Sequence, residues 1–147
     1  MRVHRTAVIK IIVIMLMATG CTTATMVTSS TIRKEMAVIK QDINANRGSM
    51  ERLKTKRVGS TGFYYIVDVD GKVVFHPQAA LIGTSFKNHW FINKIIDEKS
   101  GCLSYQLGNR THVVYFEQLN ETEILCLSIV SNDIQQAAMD CRQAEIK

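Results

Sequence analysis

The feature that most constrains the fold is a pair of apolar runs joined by the dipeptide Asp70-Gly71. The runs, Phe63 to Val69 and Lys72 to Phe75, are rich in β-branched and aromatic residues. Asp-Gly between two such runs predicts a β-hairpin, because the tight turn needs a positive φ that glycine adopts without strain. We expect the second strand to end at His76-Pro77, since proline has no amide hydrogen and a fixed φ. An antiparallel hairpin is therefore predicted near the middle of the chain.

Further helices and strands are predicted after this hairpin. A helix is expected from Phe86 to Lys99 and a closing helix from about Asp133 to Ala144. Turn residues at Gly108-Asn109 and Asn120-Glu121-Thr122 predict consecutive hairpins between them. The strands that these turns join are Cys102 to Leu107, Thr111 to Gln118 and Glu123 to Val130. The whole pattern predicts an α+β architecture, a five-stranded antiparallel sheet with helices to one side and at its ends.

The first twenty residues are typical of an export leader. Arg2 and Arg5 precede an apolar run from Ile11 to Met17, which is shorter than the roughly 20 residues of a membrane span but matches a secretory core of about 7–15. The segment that ends at Cys21 resembles a bacterial lipobox, in which the cysteine is lipidated, although Ala18 stands where leucine is usual. The alternative is an uncleaved membrane anchor. Either way we expect an exported, membrane-tethered protein.

A spacer rich in threonine and serine, residues 21–31, leads to a long helix predicted over residues 32–57. Its apolar residues repeat at heptad spacing, with Asn46 at the one polar seam position. The seam consists of Ile32, Met36, Ile39, Ile43, Met50 and Leu53. Such a seam predicts either a homodimer formed by paired helices or a helix that packs along the chain's own sheet.

Charge argues against a nucleic acid partner, and the cysteine content leaves the disulfide pairing open. The formal net charge is +5, but three of the 18 basic residues lie in the leader, which leaves 15 against 13 acidic residues. We therefore expect no nucleic acid partner. If Cys21 is lipidated, three cysteines remain, and any one pair of them can form a disulfide or all can stay as buried thiols. The three are Cys102, Cys126 and Cys141.

The sequence gives no indication of catalysis. The histidines beyond the leader, His76, His89 and His112, form no metal-binding pair, and no Gly-x-Ser-x-Gly nucleophile motif occurs. Asp68 and Asp70 lie two apart at the hairpin, where turn geometry explains them without a metal. We therefore predict no enzyme, no metal and no cofactor.

The motifs from Val58 to Val130 resemble the Cache family of extracytoplasmic sensor domains. The resemblance consists of a glycine before an aromatic strand, the Asp70-Gly71 turn, a second strand that ends at His76-Pro77, and Leu81-Ile82-Gly83 beyond it. The family's usual Gly-Trp before the last strand is replaced by Thr122-Glu123-Ile124. The resemblance implies a PAS-like sheet over residues 58–147, braced by the long N-terminal helix, which in this family also pairs with a second copy.

The resemblance also implies where a ligand binds. Cache domains bind carboxylates, amino acids or amines between the sheet and the segment that links strands two and three. By position, this segment contributes His76, Lys87, His89 and Trp90, and the sheet contributes Tyr65, Tyr105 and Tyr115. The alternative for each is structural: core packing for the tyrosines and Trp90, a turn contact for His76, and solvation for Lys87.

Two functions follow from this interpretation. The first is a membrane-tethered sensory module that binds a small organic ligand and passes its occupancy to a partner protein. A partner is expected because the predicted closing helix is too polar to cross a bilayer. The alternative is a structural or interaction lipoprotein of the cell envelope whose ligand pocket has degenerated.

Overall fold

The computed structural model of the chain describes residues 26–135 and 141–143. The leader, Cys21 and most of the spacer lie outside these residues. Two α-helices are described, α1 (Ser29–Ala45) and α2 (Trp90–Glu98), with short 3-10 segments at Arg47–Lys54, Ala79–Leu81 and Ser131–Asp133. The strands are β1 (Phe63–Asp68), β2 (Val73–Phe75), β3 (Ser100–Leu107), β4 (Arg110–Gln118), β5 (Glu123–Val130) and β6 (Arg142–Gln143).

The strands form one sheet in the order β2-β1-β5-β4-β3-β6. The first five are antiparallel to their neighbours, as the sequence predicted, and the short β6 adds in parallel to the edge of β3. The two predicted glycine turns have the expected backbone, with φ of +79° at Gly71 and +62° at Gly108. The predicted α+β, PAS-like architecture is confirmed.

Alternating side chains give the sheet two apolar faces. The α1 face packs against helix α1, and the α2 face packs against helix α2 and the crossover that joins β2 to it (residues 76–89). Buried on the α1 face are Ile32, Met36, Ile39, Ile43, Tyr64, Ile66, Tyr115, Leu125 and Leu127. Buried on the α2 face are Tyr65, Val67, Ile92, Ile95, Leu103, Val114, Phe116, Ile124 and Cys126.

The predicted long helix is not continuous. Helix α1 ends at Ala45, and Asn46 is extended, with φ −151° and ψ 108°. The Asn46 side chain accepts a hydrogen bond from the Gly48 amide at 2.9 Å and thereby starts the 3-10 segment. Asparagine competes for backbone hydrogen bonds in this way, which is why the heptad pattern alone overestimated the length of the helix.

The predicted apolar seam, which runs from α1 into the following 3-10 segment, faces the chain's own sheet. Of its six residues, all but Met50 are buried, and Met50 is partly buried against the same cluster. Packing on the sheet is therefore the arrangement observed. Pairing with a second copy stays a prediction, and it would need residues outside the seam such as Val38, which is 58% exposed.

The closing helix was predicted from about Asp133 to Ala144, and the described residues of this range are not helical in the predicted way. Asp133 belongs to a 3-10 segment, Ile134 bridges to Val27, and Arg142–Gln143 pairs with β3 as a strand. Residues 136–140 lie outside the described part. A disulfide between Cys102 and Cys141 ties this end of the chain to β3, whereas Cys126 is a buried thiol.

Helix α2 begins four residues later than predicted. The crossover first folds back along β2, with the Val73 amide donating to Thr84 O at 2.9 Å and the Phe86 amide donating to Gly71 O at 2.8 Å. Only then does the chain turn into α2, whose Ile92 and Ile95 are fully buried on the sheet. In residues 26–135 and 141–143, no helix is both long and apolar enough to cross a membrane.

Candidate ligand-binding site

A cavity of about 90 Å³ lies between the α2 face of the sheet and the crossover. We call it the sheet cavity. Strand β1 contributes two aromatic residues, β3 and β5 contribute one residue each, and the crossover and α2 contribute the remaining four. The eight lining residues are Phe63, Tyr65, His76, Phe86, Phe91, Ile92, Tyr105 and Ser128.

Strand register brings the sheet residues of the cavity together. Phe63 of β1 lies directly opposite Ser128 of β5, and Tyr65 lies opposite Cys126 on the same face. Tyr105 reaches the cavity from β3, two strands away from β5. These positions share one face because side chains two residues apart along a strand point the same way.

Helix α2 closes the cavity through aromatic contacts. The ring of Phe91 is stacked on the ring of Tyr105, with centroids 4.4 Å apart and planes 3° from parallel. Trp90 meets the same two rings edge-on, at 6.0 and 6.4 Å. Trp90 is 43% exposed and lies at the outer edge of the cavity.

His76 occupies a fixed position at the end of β2. The Gln78 amide donates to its Nδ1 at 3.0 Å, and its ring packs edge-on to Phe63 with centroids 5.2 Å apart. Burial lowers the pKa of His76 below its ordinary value. Because Nδ1 accepts this bond, the neutral imidazole has its hydrogen on Nε2 and can donate from there. The predicted turn contact of His76 is observed, and His76 lines the cavity as well.

The tyrosines of the cavity are neutral phenols. Burial, together with the neighbouring Cys126 thiol and Tyr105, raises the pKa of Tyr65 well above its ordinary value. Burial also raises the pKa of Tyr105, although the Ser128 hydroxyl opposes the shift. Each phenol can therefore donate or accept a hydrogen bond at neutral pH.

Five of the seven sequence-predicted binding residues lie at or beside the cavity. Tyr65, His76 and Tyr105 line it. His89 and Trp90 are exposed and contact lining residues, His89 lying 5.5 Å from the rings of Phe86 and Phe91. We call His89 and Trp90 the rim.

The other two predicted residues are not part of the cavity. Lys87 is exposed, and its backbone packs against Gly71. Tyr115 is on the α1 face, where its hydroxyl lies 2.6 Å from Ser29 Oγ and its ring lies beneath the Arg33 guanidinium at 5.6 Å. Tyr115 therefore does not face the sheet cavity, contrary to the arrangement expected for it beside Tyr65 and Tyr105. The strand register places Tyr115 opposite Cys102, which belongs to the same face.

Sequence reasoning missed five lining residues: Phe63, Phe86, Phe91, Ile92 and Ser128. For two of them the sequence contains a pattern that could have indicated a position in the cavity. Phe63 has the same parity as Tyr65 in β1, and Ser128 is a polar residue inside an otherwise apolar strand. Among residues 26–135 and 141–143, no group of three or more metal-ligating side chains is placed to hold an ion.

Comparison with solved structures identifies the fold. No family model matches the sequence, and no curated protein matches it. A periplasmic sensor domain of a chemotaxis protein is similar to it with a TM-score of 0.54 and 13% identity, covering 69% of this chain and 92% of that domain. A methyl-accepting chemotaxis protein from Vibrio parahaemolyticus RIMD 2210633 is similar with a TM-score of 0.53 and 18% identity, covering 74% and 88%.

A third similar structure is a Cache chemosensory domain that recognises carboxylic acids. Its TM-score is 0.51 at 14% identity, and the similarity covers 69% of this chain and 94% of that domain. At such low identity these similarities establish the fold, over nearly the whole length of each sensor domain. The chain therefore has the fold of a single Cache-like sensor domain.

Proposed function

We propose that the chain is an extracytoplasmic sensory module that binds a small organic molecule in the sheet cavity. The observation that supports this most directly is the cavity itself, where Tyr65, His76 and Tyr105 bring hydrogen-bonding groups into an aromatic enclosure. Small-molecule sites typically combine an apolar lining with a few placed polar groups. The fold is that of sensor domains described as periplasmic or as recognising carboxylic acids.

Ligand occupancy would be passed to the N-terminal helix through the sheet. Tyr65 faces the cavity, and the preceding Tyr64 is fully buried on the opposite face. Tyr64 belongs to the same buried cluster as Ile32, Met36 and Ile39, so its ring packs beside helix α1. A ligand that shifts β1 would thus act on α1, and from there on a membrane partner.

We further propose that the N-terminal leader tethers the module to a membrane. The supporting observation is the sequence pattern that ends at Cys21. Mass analysis of the mature N-terminus distinguishes the two modes of attachment. A lipidated Cys21 supports the lipoprotein, and an intact Met1 supports an uncleaved anchor.

A structural or interaction role is the second candidate, because the cavity is small. Its volume of about 90 Å³ is well below the roughly 300–1,000 Å³ of pockets for drug-sized ligands. In this alternative the cavity is a remnant and α1 or the exposed surface assembles an envelope complex.

A ligand screen by thermal unfolding of the full-length chain separates the two candidates. The library contains small acids, amines, amino acids and their uncharged analogues. A specific ligand at 100 times its dissociation constant stabilises the native state by about 2.7 kcal/mol, which is readily detected. The sensory proposal requires that a hit lose its effect in Ser128→Val, which removes a hydroxyl and adds a methyl group at the cavity wall, and keep it in Tyr115→Phe on the opposite face. A screen without any hit supports the structural role.

A further inference from the structure

We propose that the sheet cavity selects an uncharged ligand of about four heavy atoms, with one hydrogen-bonding group on a small apolar body. The inference rests on the proposed function, since it specifies what the sensory module binds. It follows from three properties of the lining: its volume, its lack of formal charge and its set of hydrogen-bond donors.

The volume limits the size of the ligand. A cavity of about 150 Å³ in another protein holds benzene, which has six heavy atoms. By proportion, the sheet cavity of about 90 Å³ takes about four. Free amino acids with a side chain are larger than this, so part of such a ligand would extend out of the cavity through its open side.

The lining provides no charge to pair with an ionic ligand. Among the described residues, eight line the cavity. Seven of them are aromatic, aliphatic or hydroxyl-bearing, and the eighth is His76, whose pKa is lowered by burial so that it is neutral at pH 7.5. The closest predicted cation in the crossover, Lys87, is exposed and does not line the cavity. A carboxylate or ammonium group packed against this lining would give up part of its water without gaining a counter-charge, which disfavours it.

The polar groups of the lining match a neutral carbonyl, amide or alcohol. Tyr65, Tyr105 and Ser128 each have a hydroxyl, and His76 has its hydrogen on Nε2 because Nδ1 already accepts from Gln78. Tyr105 and Ser128 are within hydrogen-bonding reach of each other, and Tyr65 is within reach of the Cys126 thiol, so each of these pairs shares its hydrogens with any ligand. The His76 Nε2–H can donate to a ligand oxygen, and the three hydroxyls can accept from a ligand N–H or O–H. The surrounding phenyl rings and Ile92 accommodate the apolar part.

Two matched pairs of small molecules test the inference. Acetamide and acetate each have four heavy atoms and differ in charge, as do propan-2-ol and isopropylammonium. The full-length chain is titrated with each at pH 7.5, and binding is followed by amide chemical shifts and by thermal unfolding. For ligands of this size the dissociation constant is about 40 µM at best, so titrations extend to about 100 mM.

We expect at least one uncharged member to bind saturably, at least 10-fold more tightly than its charged partner, with shifts in β1, β5 and α2. Ser128→Val is expected to weaken binding more than 10-fold, and Tyr115→Phe to leave it unchanged. His76→Asn, which keeps a donor, serves as a second cavity variant should Ser128→Val fail to fold.

Each other result overturns the inference and is distinct from failure of the proposed function. Equal or tighter binding of acetate or isopropylammonium contradicts the charge argument but leaves the sensory module intact. If all four compounds fail while the wider screen finds a larger or charged ligand, the size and charge arguments are both wrong. If the wider screen is empty as well, the proposed function fails together with the inference.

Discussion

The ring of Phe91 in α2 lies parallel to the ring of Tyr105 in β3, with centroids 4.4 Å apart. This is the closest of the aromatic contacts between helix and sheet described above, and both rings also line the sheet cavity. Ile92 and Ile95 hold the other side of the same helix on the sheet and are fully buried. The aromatic pair therefore both attaches the start of α2 and forms a wall of the cavity.

We expect Phe91→Ala to lower the free energy of unfolding by about 1–3 kcal/mol. The cost should lie below the roughly 3–5 kcal/mol of a fully buried phenylalanine, because Phe91 is only half-buried. Urea unfolding measures the change. The matched control is Trp90→Ala, which removes an exposed ring edge and should cost less than Phe91→Ala. A larger cost for Trp90→Ala would contradict the assignment of the main contact to Phe91.

Tyr115→Phe and Tyr105→Phe remove the same atom from opposite faces of the sheet. Tyr115→Phe deletes the hydroxyl that lies 2.6 Å from Ser29 Oγ, so we expect a loss of about 0.5–1.5 kcal/mol in unfolding free energy. Ligand affinity should not change. Tyr105→Phe should weaken any ligand that hydrogen bonds in the cavity. Isothermal titration with a ligand from the screen checks both variants, and the opposite pattern of effects would place the site on the α1 face.

The position of Tyr115 illustrates how much of the site was available from the sequence. The Gly108-Asn109 turn makes Leu107 and Arg110 the first pair of the hairpin. In an antiparallel hairpin the first pair fixes all the other residue pairs between β3 and β4. It places Tyr115 opposite Cys102 and not on the side of Tyr105. The sequence pattern correctly showed which residues alternate within each strand. It put Tyr115 on the same face as Tyr105 because the pairing between the two strands, which the turn defines, was not used.

Other features of the structure depend on contacts that no local pattern contains. The strands and hairpins were predictable because turn glycines and alternating apolar residues are local signals. The end of α1 depends on the Asn46 cap and on the ion pair of Arg47 with Glu123, 76 residues away. Similarly, β6 depends on a disulfide that the sequence left as one of three pairings. Long-range links of this kind decide element boundaries, and one sequence does not reveal them.

We expect Cys141→Ser to destabilise the fold by about 2–4 kcal/mol. The Cys102–Cys141 disulfide closes a loop with a sequence separation of 39, and the chain-entropy model gives about 4 kcal/mol for a loop of this length. Denaturant unfolding under non-reducing conditions measures the loss. Cys126→Ala is the control, because it removes a buried thiol and leaves the disulfide in place. A non-reducing peptide map with Cys126 in a disulfide would contradict the pairing.

The histidines of the α2 face predict a loss of stability in mild acid. Burial lowers the pKa of His76, and burial together with Arg110 lowers the pKa of His112, whose ring stacks on Tyr105. Each histidine therefore binds its proton more weakly in the folded chain than in the unfolded chain, where the pKa is about 6.5. Their stabilisation is complete above this value and is lost as pH falls through the lowered folded pKa.

Thermal unfolding at pH 7.5 and pH 5.5 checks the predicted sign. We expect a lower melting temperature at pH 5.5, and a smaller difference in His112→Gln, which does not titrate in this range. The exposed His89, which does not line the cavity, provides the control variant His89→Gln. A melting temperature that rises toward pH 5.5, or a pH difference unchanged in His112→Gln, is incompatible with the proposed cause.

The ion pair of Arg47 and Glu123 joins the break after α1 to the start of β5. Arg47 donates to both carboxylate oxygens, at 2.7 and 2.8 Å, and Asn120 donates at 2.6 Å. The hydrogen bonds from Arg47 are the main cause that lowers the pKa of Glu123. The carboxylate therefore stabilises the fold above its unfolded pKa of about 4.3, and this contribution is lost as pH falls through the lower folded value.

We expect Glu123→Gln to lower the free energy of unfolding by about 1–2 kcal/mol at pH 7 and by much less near pH 2.5. The estimate lies at the lower end for hydrogen bonds to charged groups, because the Arg47 side chain is 52% exposed and solvent screens the pair. Glu51→Gln is the matched control, since it breaks the exposed pair with Lys54 and should cost at most about 0.5 kcal/mol. Urea unfolding at the two pH values measures each variant. Equal losses for Glu123→Gln at both pH values would show that its effect comes from packing and not from the charge of the carboxylate.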